Sequence, residues 1–171
     1  MPWRDDHRDA FVALCADADV MADLGGPIGR VAALEKLAGY VASYEQHGVT
    51  KWAVEDLSGT LLGYTGAMPE GPDHPLGDHF EIGWRFLPCS WGKGYASEAA
   101  RAALTYFFAH NPAVEVLAYT TKENVRSQGV MERLNLTRTP ERDFTAPYDG
   151  QPWHGLVWVT GRETWGRELA L

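Results

Sequence analysis

Between residues 86 and 97 the sequence FLPCSWGKGYAS passes from a strand-like run into the helix-forming segment YASEAARAALTYFFA, with Gly92 and Gly94 at the junction. Glycine admits positive φ and close approach of another group to the backbone, and the first amides of a helix lack intrahelical partners. A chain built this way aims several N–H groups at one point, at the positive end of the helix dipole, which is the geometry of a phosphate cradle. Glycine turns also open helices for structural reasons alone, so the spacing by itself says little. A dinucleotide fingerprint would need the preceding strand to start a parallel βαβ unit with an acid some ~20 residues on, and the hairpin pattern upstream argues against that. A P-loop would need Gly-Lys-Ser/Thr, whereas Gly94 is followed by Tyr95. Coenzyme A is left as the leading diphosphate ligand.

The rest of the chain supplies the frame for this turn. Phe11, Val12, Leu14, Cys15, Ala18 and Met21 recur at near-helical spacing, predicting a helix over residues 5–23 that stops at Gly25-Gly26-Pro27. A second helix is expected over 28–46, ending at His47-Gly48. Lys51 to Leu57 alternates, Ser58-Gly59 turns and Thr60 to Met68 runs apolar again, which reads as an antiparallel hairpin, and the Pro- and Gly-rich stretch 69–78 reads as a surface loop. Strand character returns at 79–87, helix at 94–109, strand at 114–121, helix at 124–134, and strands around 136–144 and 154–160. This order predicts an α/β (α+β) fold: a mixed, mostly antiparallel central sheet with helices on both faces.

Composition excludes several partners. A length of 171 residues with 45% hydrophobic side chains suits one domain, expected to span residues 1–171. With 23 acidic against 15 basic residues the chain lacks a cationic footprint for nucleic acid. No apolar run is long enough to cross a bilayer and the N-terminus opens with charges, so a cytoplasmic protein without a membrane partner is expected. Cys15 and Cys89 are too few for a disulfide framework, and the six histidines show no metal-ligand spacing, so no metal is expected.

The run EIGWRFLPCSWGKGYASEAARAAL at Glu81 to Leu104, followed by ENVRSQGVMERLNL at Glu123 to Leu136, resembles the GNAT acetyltransferases, and within them the RimJ/RimL-type N-acetyltransferases. The resemblance extends from about Pro2 to Trp165. It implies an acyltransferase, for acyl groups other than amino-acyl, that moves an acetyl group from acetyl-CoA to a primary amine within a ternary complex. The family's Gln/Arg-x-x-Gly-x-Gly/Ala signature falls on Trp91, Gly92, Lys93, Gly94, Tyr95 and Ala96, with Trp91 replacing the usual Gln or Arg, and Ser97 continues the first helical turn. It implies further that the backbone of Trp84, Arg85 and Phe86 pairs with the pantetheine arm, that Asn124 contacts the cofactor while capping the next helix, and that Ser127 lies near the thioester sulfur. Where many members place a tyrosine acid this chain has Met131, which cannot donate a proton, and Asn135 replaces a glycine after the helix. A strand ahead of the first helix is short or missing, with only Met1 to Arg4 available.

For chemistry, an amine attacks a thioester only when unprotonated. Glu81, on the strand expected to line the groove, is the preferred base, directly or through water; Asp78, His79 and Asp143 are secondary candidates, and Ser127 or water would return a proton to the thiolate. The same fold could instead hold acyl-CoA as a sensor without turnover. The acceptor, a protein N-terminal amine or a small amine, is left open, as are the acyl chain and a homodimeric state.

Overall fold

In the computed structural model, which describes residues 1–148 and 150–168, the N-terminal periodicities become a 3-10 turn at Asp5–His7 and the helices α1 (Arg8–Ala16), α2 (Ala18–Met21) and α3 (Arg30–His47). The single helix expected over 5–23 is therefore broken. Asp17 explains the break, because its carboxylate accepts from the amides of Asp19 and Val20 at 2.9 and 3.0 Å and caps α2 instead of extending α1. Gly48 ends α3 in the left-handed region at φ 69°, as the His47-Gly48 pair suggested.

There follow β1 (Trp52–Glu55), β2 (Leu61–Glu70), β3 (His79–Phe86), α4 (Tyr95–His110), β4 (Glu115–Thr120), α5 (Val125–Arg133), β5 (Thr137–Arg138), β6 (Phe144–Tyr148), β7 (Gln151–Gly161) and α6 (Arg162–Glu168). The strand expected at 136–144 divides into β5 and β6, because Pro140 opens a 3-10 turn at Pro140–Arg142 that takes the chain off the sheet. β7 starts earlier than the expected residue 154, since its first residues pair with β6 as a hairpin. Among the described residues no strand precedes α1, but Met1 exchanges two backbone hydrogen bonds with Ala53 on the β1 edge at 3.0 and 3.1 Å. Asn135 sits in the left-handed region at φ 54° just after α5, the conformation asparagine tolerates best after glycine.

Seven strands form a mixed sheet in the order β1-β2-β3-β4-β7-β5, with β6 attached to β7. Every neighbouring pair is antiparallel except β3 and β4, which run parallel and register at one pair, Glu81 with Leu117. Strand alternation sorts the faces. Ala67, Ile82, Val116 and Ala118 bury against Leu104 and Phe107 of α4 and Met131 of α5, whereas Tyr64 and Met68 pack with Phe11 and Leu14 of α1 and Tyr40 of α3. Helices thus cover both faces, and no described helix is long and apolar enough to cross a membrane.

β2 and β3 approach so closely that position 63 must be glycine. A Cβ added to Gly63 would overlap the Arg85 carbonyl oxygen and lie 2.7 Å from Phe86 Cα, both backbone atoms that cannot swing aside. Gly63→Ala is expected to destabilise the fold by about 2 kcal/mol. Urea denaturation reads this as a lower midpoint at unchanged slope; an unchanged midpoint would mean that the two strands separate freely.

Candidate functional site

Because β3 and β4 register only at Glu81 and Leu117, they part beyond that pair, and a cavity of about 310 Å³ occupies the parting. Ile82, Trp84, Ser127 and Met131 line it from the α4 and α5 side, Tyr64, Glu81, Arg85 and Tyr119 from the other. The opening therefore passes through the sheet, so that two ligands can meet in it from opposite faces.

Glu81 and Ser127, far apart in sequence, share this cavity. The Glu81 Oε2 accepts from Lys51 Nζ, and both side chains are largely withdrawn from solvent, at 15% and 10% exposure, which makes the pair an internal one rather than a surface ion pair. Gly83 makes room for it: a Cβ there would overlap Lys51 Nζ and come within 2.9 Å of Glu81 Oε1. Glu70 stands on the same face of β2, its carboxyl pushed above the usual range by burial and by the charge of Glu81. Burial, then Glu81 and Glu70, also push the Tyr119 phenol far above its ordinary value, so its hydroxyl keeps its proton.

Trp84 Nε1 donates to Ser127 Oγ at 3.3 Å, so the serine oxygen is an acceptor here and its own O–H is left to donate elsewhere. Asn124 acts twice: its Oδ1 accepts from the Ser127 amide at 3.1 Å as the α5 cap, and its Nδ2 donates to Asp23 Oδ2 at 2.9 Å. Asp23 also pairs with Arg85 at 2.8 Å, and its carbonyl accepts from Trp153 Nε1 at 3.0 Å. Trp84 and Arg85 line the cavity; Phe86 does not, and its carbonyl accepts from Trp91 Nε1 at 2.7 Å.

The glycine turn lies at the head of α4, outside the lining of the cavity. Gly92 and Gly94 have φ of 72° and 86°, and a Cβ on either would meet nothing within 4 Å, so the space over the turn is clear. Gly94 is the N-cap and has no side chain to satisfy the amides of Tyr95, Ala96 and Ser97, while Lys93 is exposed beside them. Open amides, clear space and a cation fit a diphosphate. Of the secondary candidates, none lines the cavity. Asp143 is committed elsewhere: burial would raise its carboxyl, but the hydrogen bonds from Arg138 and the Val157 amide outweigh this and hold it low. His79 gives Nδ1–H to the Gly77 carbonyl at 2.8 Å, and Asp78 is exposed on the preceding turn.

Sequence reasoning missed Asp23, Lys51, Glu70, Tyr119 and Trp153. Period-two alternation would have grouped His79, Glu81, Gly83 and Arg85 on one face of β3, but their partners come from distant segments that carry no local signal.

Comparison with known proteins gives consistent matches. The model of the family described as Acetyltransferase (GNAT) domain matches residues 1–137. The uncharacterized protein YkkB of Bacillus subtilis (strain 168) is 31% identical over 132 residues, covering 77% of this chain and 76% of that protein. The uncharacterized N-acetyltransferase YnaD of the same organism is 34% identical over 91 residues, covering 53% of this chain, which spans about half of that relative, 54%. A structure of spermidine N-acetyltransferase from Vibrio cholerae in complex with CoA and spermine superposes with a TM-score of 0.76 over 96% of this chain and 95% of that one, at 16% identity, and shows the fold.

A group of rings backs Tyr119 outside the lining of the cavity. His74 stacks on Tyr119 at 5.2 Å and meets His79 and Phe144 edge-on at 4.7 and 4.9 Å. Burial, then the neighbouring His79, hold the His74 imidazole below its ordinary value against a smaller opposite pull from Glu81. The unfolded chain then binds a proton at His74 before the folded one does, so its contribution is present above about pH 6.5 and is lost as the pH falls from there through the lower folded value. His74→Phe, which keeps the ring contacts, should lessen the drop in urea midpoint between roughly pH 7.5 and roughly pH 5.5. An identical drop in both proteins would show that His74 takes no part.

Proposed function

The chain belongs to the GNAT acetyltransferase family, and from that premise we propose that it is an acetyl-CoA-dependent N-acetyltransferase of the RimJ/RimL type, one domain acting in the cytoplasm, that acylates a primary amine in a ternary complex. The single observation that carries the reading is the cavity through the sheet at the parting of β3 and β4, with Glu81 and Ser127 on its wall. The family model and the relative named as an N-acetyltransferase support the reaction class.

Acetyl-CoA supplies the activated acyl group as a thioester. The glycine turn Trp91, Gly92, Lys93 and Gly94, with the free amides of Tyr95, Ala96 and Ser97, would hold its diphosphate, and the strand segment Trp84, Arg85 and Phe86 with Asn124 would hold the pantetheine arm. On the opposite face, Glu70 adds a carboxyl that the Lys51–Glu81 pair leaves unmatched and that an ammonium would meet, and the aromatic rings of Tyr64, Tyr119 and Trp153 wall the space. This suits a small cationic amine or a peptide N-terminus. Glu81, held in place by Lys51, takes the proton of the amine directly or through water. Water, or the Ser127 O–H left over after its oxygen accepts from Trp84 and resupplied from solvent, returns a proton to the leaving thiolate. Holding the two reactants together supplies the larger part of the acceleration.

Acetyl-CoA should raise the melting temperature of the protein, and one or more amines in a panel of polyamines, aminoglycosides and short peptides should release free thiol from it. Gly94→Asp, which puts a carboxylate against the diphosphate, should abolish the thermal shift. No shift at millimolar acetyl-CoA would refute the reading; a shift with no acyl transfer to any amine would mark a sensor rather than an enzyme.

Glu81→Gln keeps the shape and removes the proton acceptor; because it also leaves the withdrawn Lys51 without its partner carboxylate, turnover is read at a temperature where the variant is shown to be folded. Turnover should fall about a hundredfold near neutral pH with little change in acetyl-CoA affinity, and the defect should shrink as rising pH deprotonates the amine without help. Wild-type turnover across the pH range would eliminate Glu81 as the base.

A further inference from the structure

The protein has a formal net charge of −8, and Glu98 adds an acidic side chain to the first turn of α4. A diphosphate approaching the glycine turn therefore meets a repulsive background, and one lysine, Lys93, is the cation within the turn itself.

A second cation stands against Trp91, the residue that opens the turn. The Arg126 guanidinium, in the first turn of α5, lies over the Trp91 ring at 3.7 Å from its centroid. That ring is not free to turn away, because Trp91 Nε1 donates to the Phe86 carbonyl at 2.7 Å and the indole packs against the cluster around Phe11 and Tyr40. The arginine is exposed, and among the described residues no carboxylate pairs with it. Stacking uses the face of a guanidinium and leaves the N–H donors on its edge available, in a fork that matches phosphate oxygens. The helix start that presents it is itself fixed, through the Asn124 cap and its bond to Asp23.

We infer that Arg126, set in place by Trp91, is a ligand of the coenzyme A diphosphate, acting across the glycine turn from Lys93. The inference rests on the acetyl-CoA reading above and adds a residue to it. It gives Trp91 a part in binding through its ring: the indole orients the cation and does not touch the phosphate itself.

Calorimetric titration of the full chain with CoA, dephospho-CoA and pantetheine tests this. Arg126→Ala, at an exposed position where folding should survive, is expected to weaken CoA and dephospho-CoA alike by about tenfold and leave pantetheine binding as it was. Arg126→Lys, keeping the charge but not the planar fork, should recover part of the loss. Unchanged CoA affinity in Arg126→Ala would overturn the assignment. So would a loss that disappears with dephospho-CoA, which would place the arginine at the 3′-phosphate, or one equally large with pantetheine, which would indicate general damage. If the wild-type chain binds none of the three, the acetyl-CoA reading itself falls, and the role of Arg126 with it.

Discussion

The parting of β3 from β4 is the constraint from which the site follows. Parallel strands normally continue their ladder, and two that register at Glu81 and Leu117 alone need something other than each other to keep their positions. Asp23 provides it. Through its carboxylate and carbonyl this one residue holds Arg85 on β3, Asn124 at the start of α5 and Trp153 on β7. Those three lie on both sides of the gap, so hydrogen bonds to one residue span the opening.

A second internal pair works on a smaller scale. Lys51 and Glu81 are withdrawn from water together, an arrangement that is tolerated because each neutralises the other and that would be strongly unfavourable if either were left alone. Gly83 leaves the pair its present position, since a Cβ there would make the Lys51 and Glu81 side chains shift. The consequence for chemistry is that the Glu81 carboxylate is placed by its partner. Glu70 and Tyr119, whose proton affinities are raised by burial and by neighbouring negative charge, complete a wall in which proton positions are set by the surroundings.

At the other end of the site, little depends on side chains. The head of α4 offers amides that no cap satisfies, over a turn whose positive φ angles require glycine. Two cations stand near these amides, Lys93 within the turn and Arg126 of α5 over the Trp91 ring.

What the sequence alone determined is local. The Gly92-Gly94 spacing, the helical run after it, the cap at Gly48 and the strand character of β2 and β3 are each properties of a few adjacent residues, and each is found where the residues predicted it. The boundaries that moved did so for reasons also local but easily underweighted, a capping Asp17 and a turn-forming Pro140. Tertiary structure decided the pairings. That Asp23 meets Asn124, 101 positions away, that Lys51 meets Glu81, or that Arg126 lies on Trp91 follows from strand order and from where the sheet parts. Such contacts are legible only after folding, because a charge or a ring in sequence has no direction until the chain has brought its partner alongside.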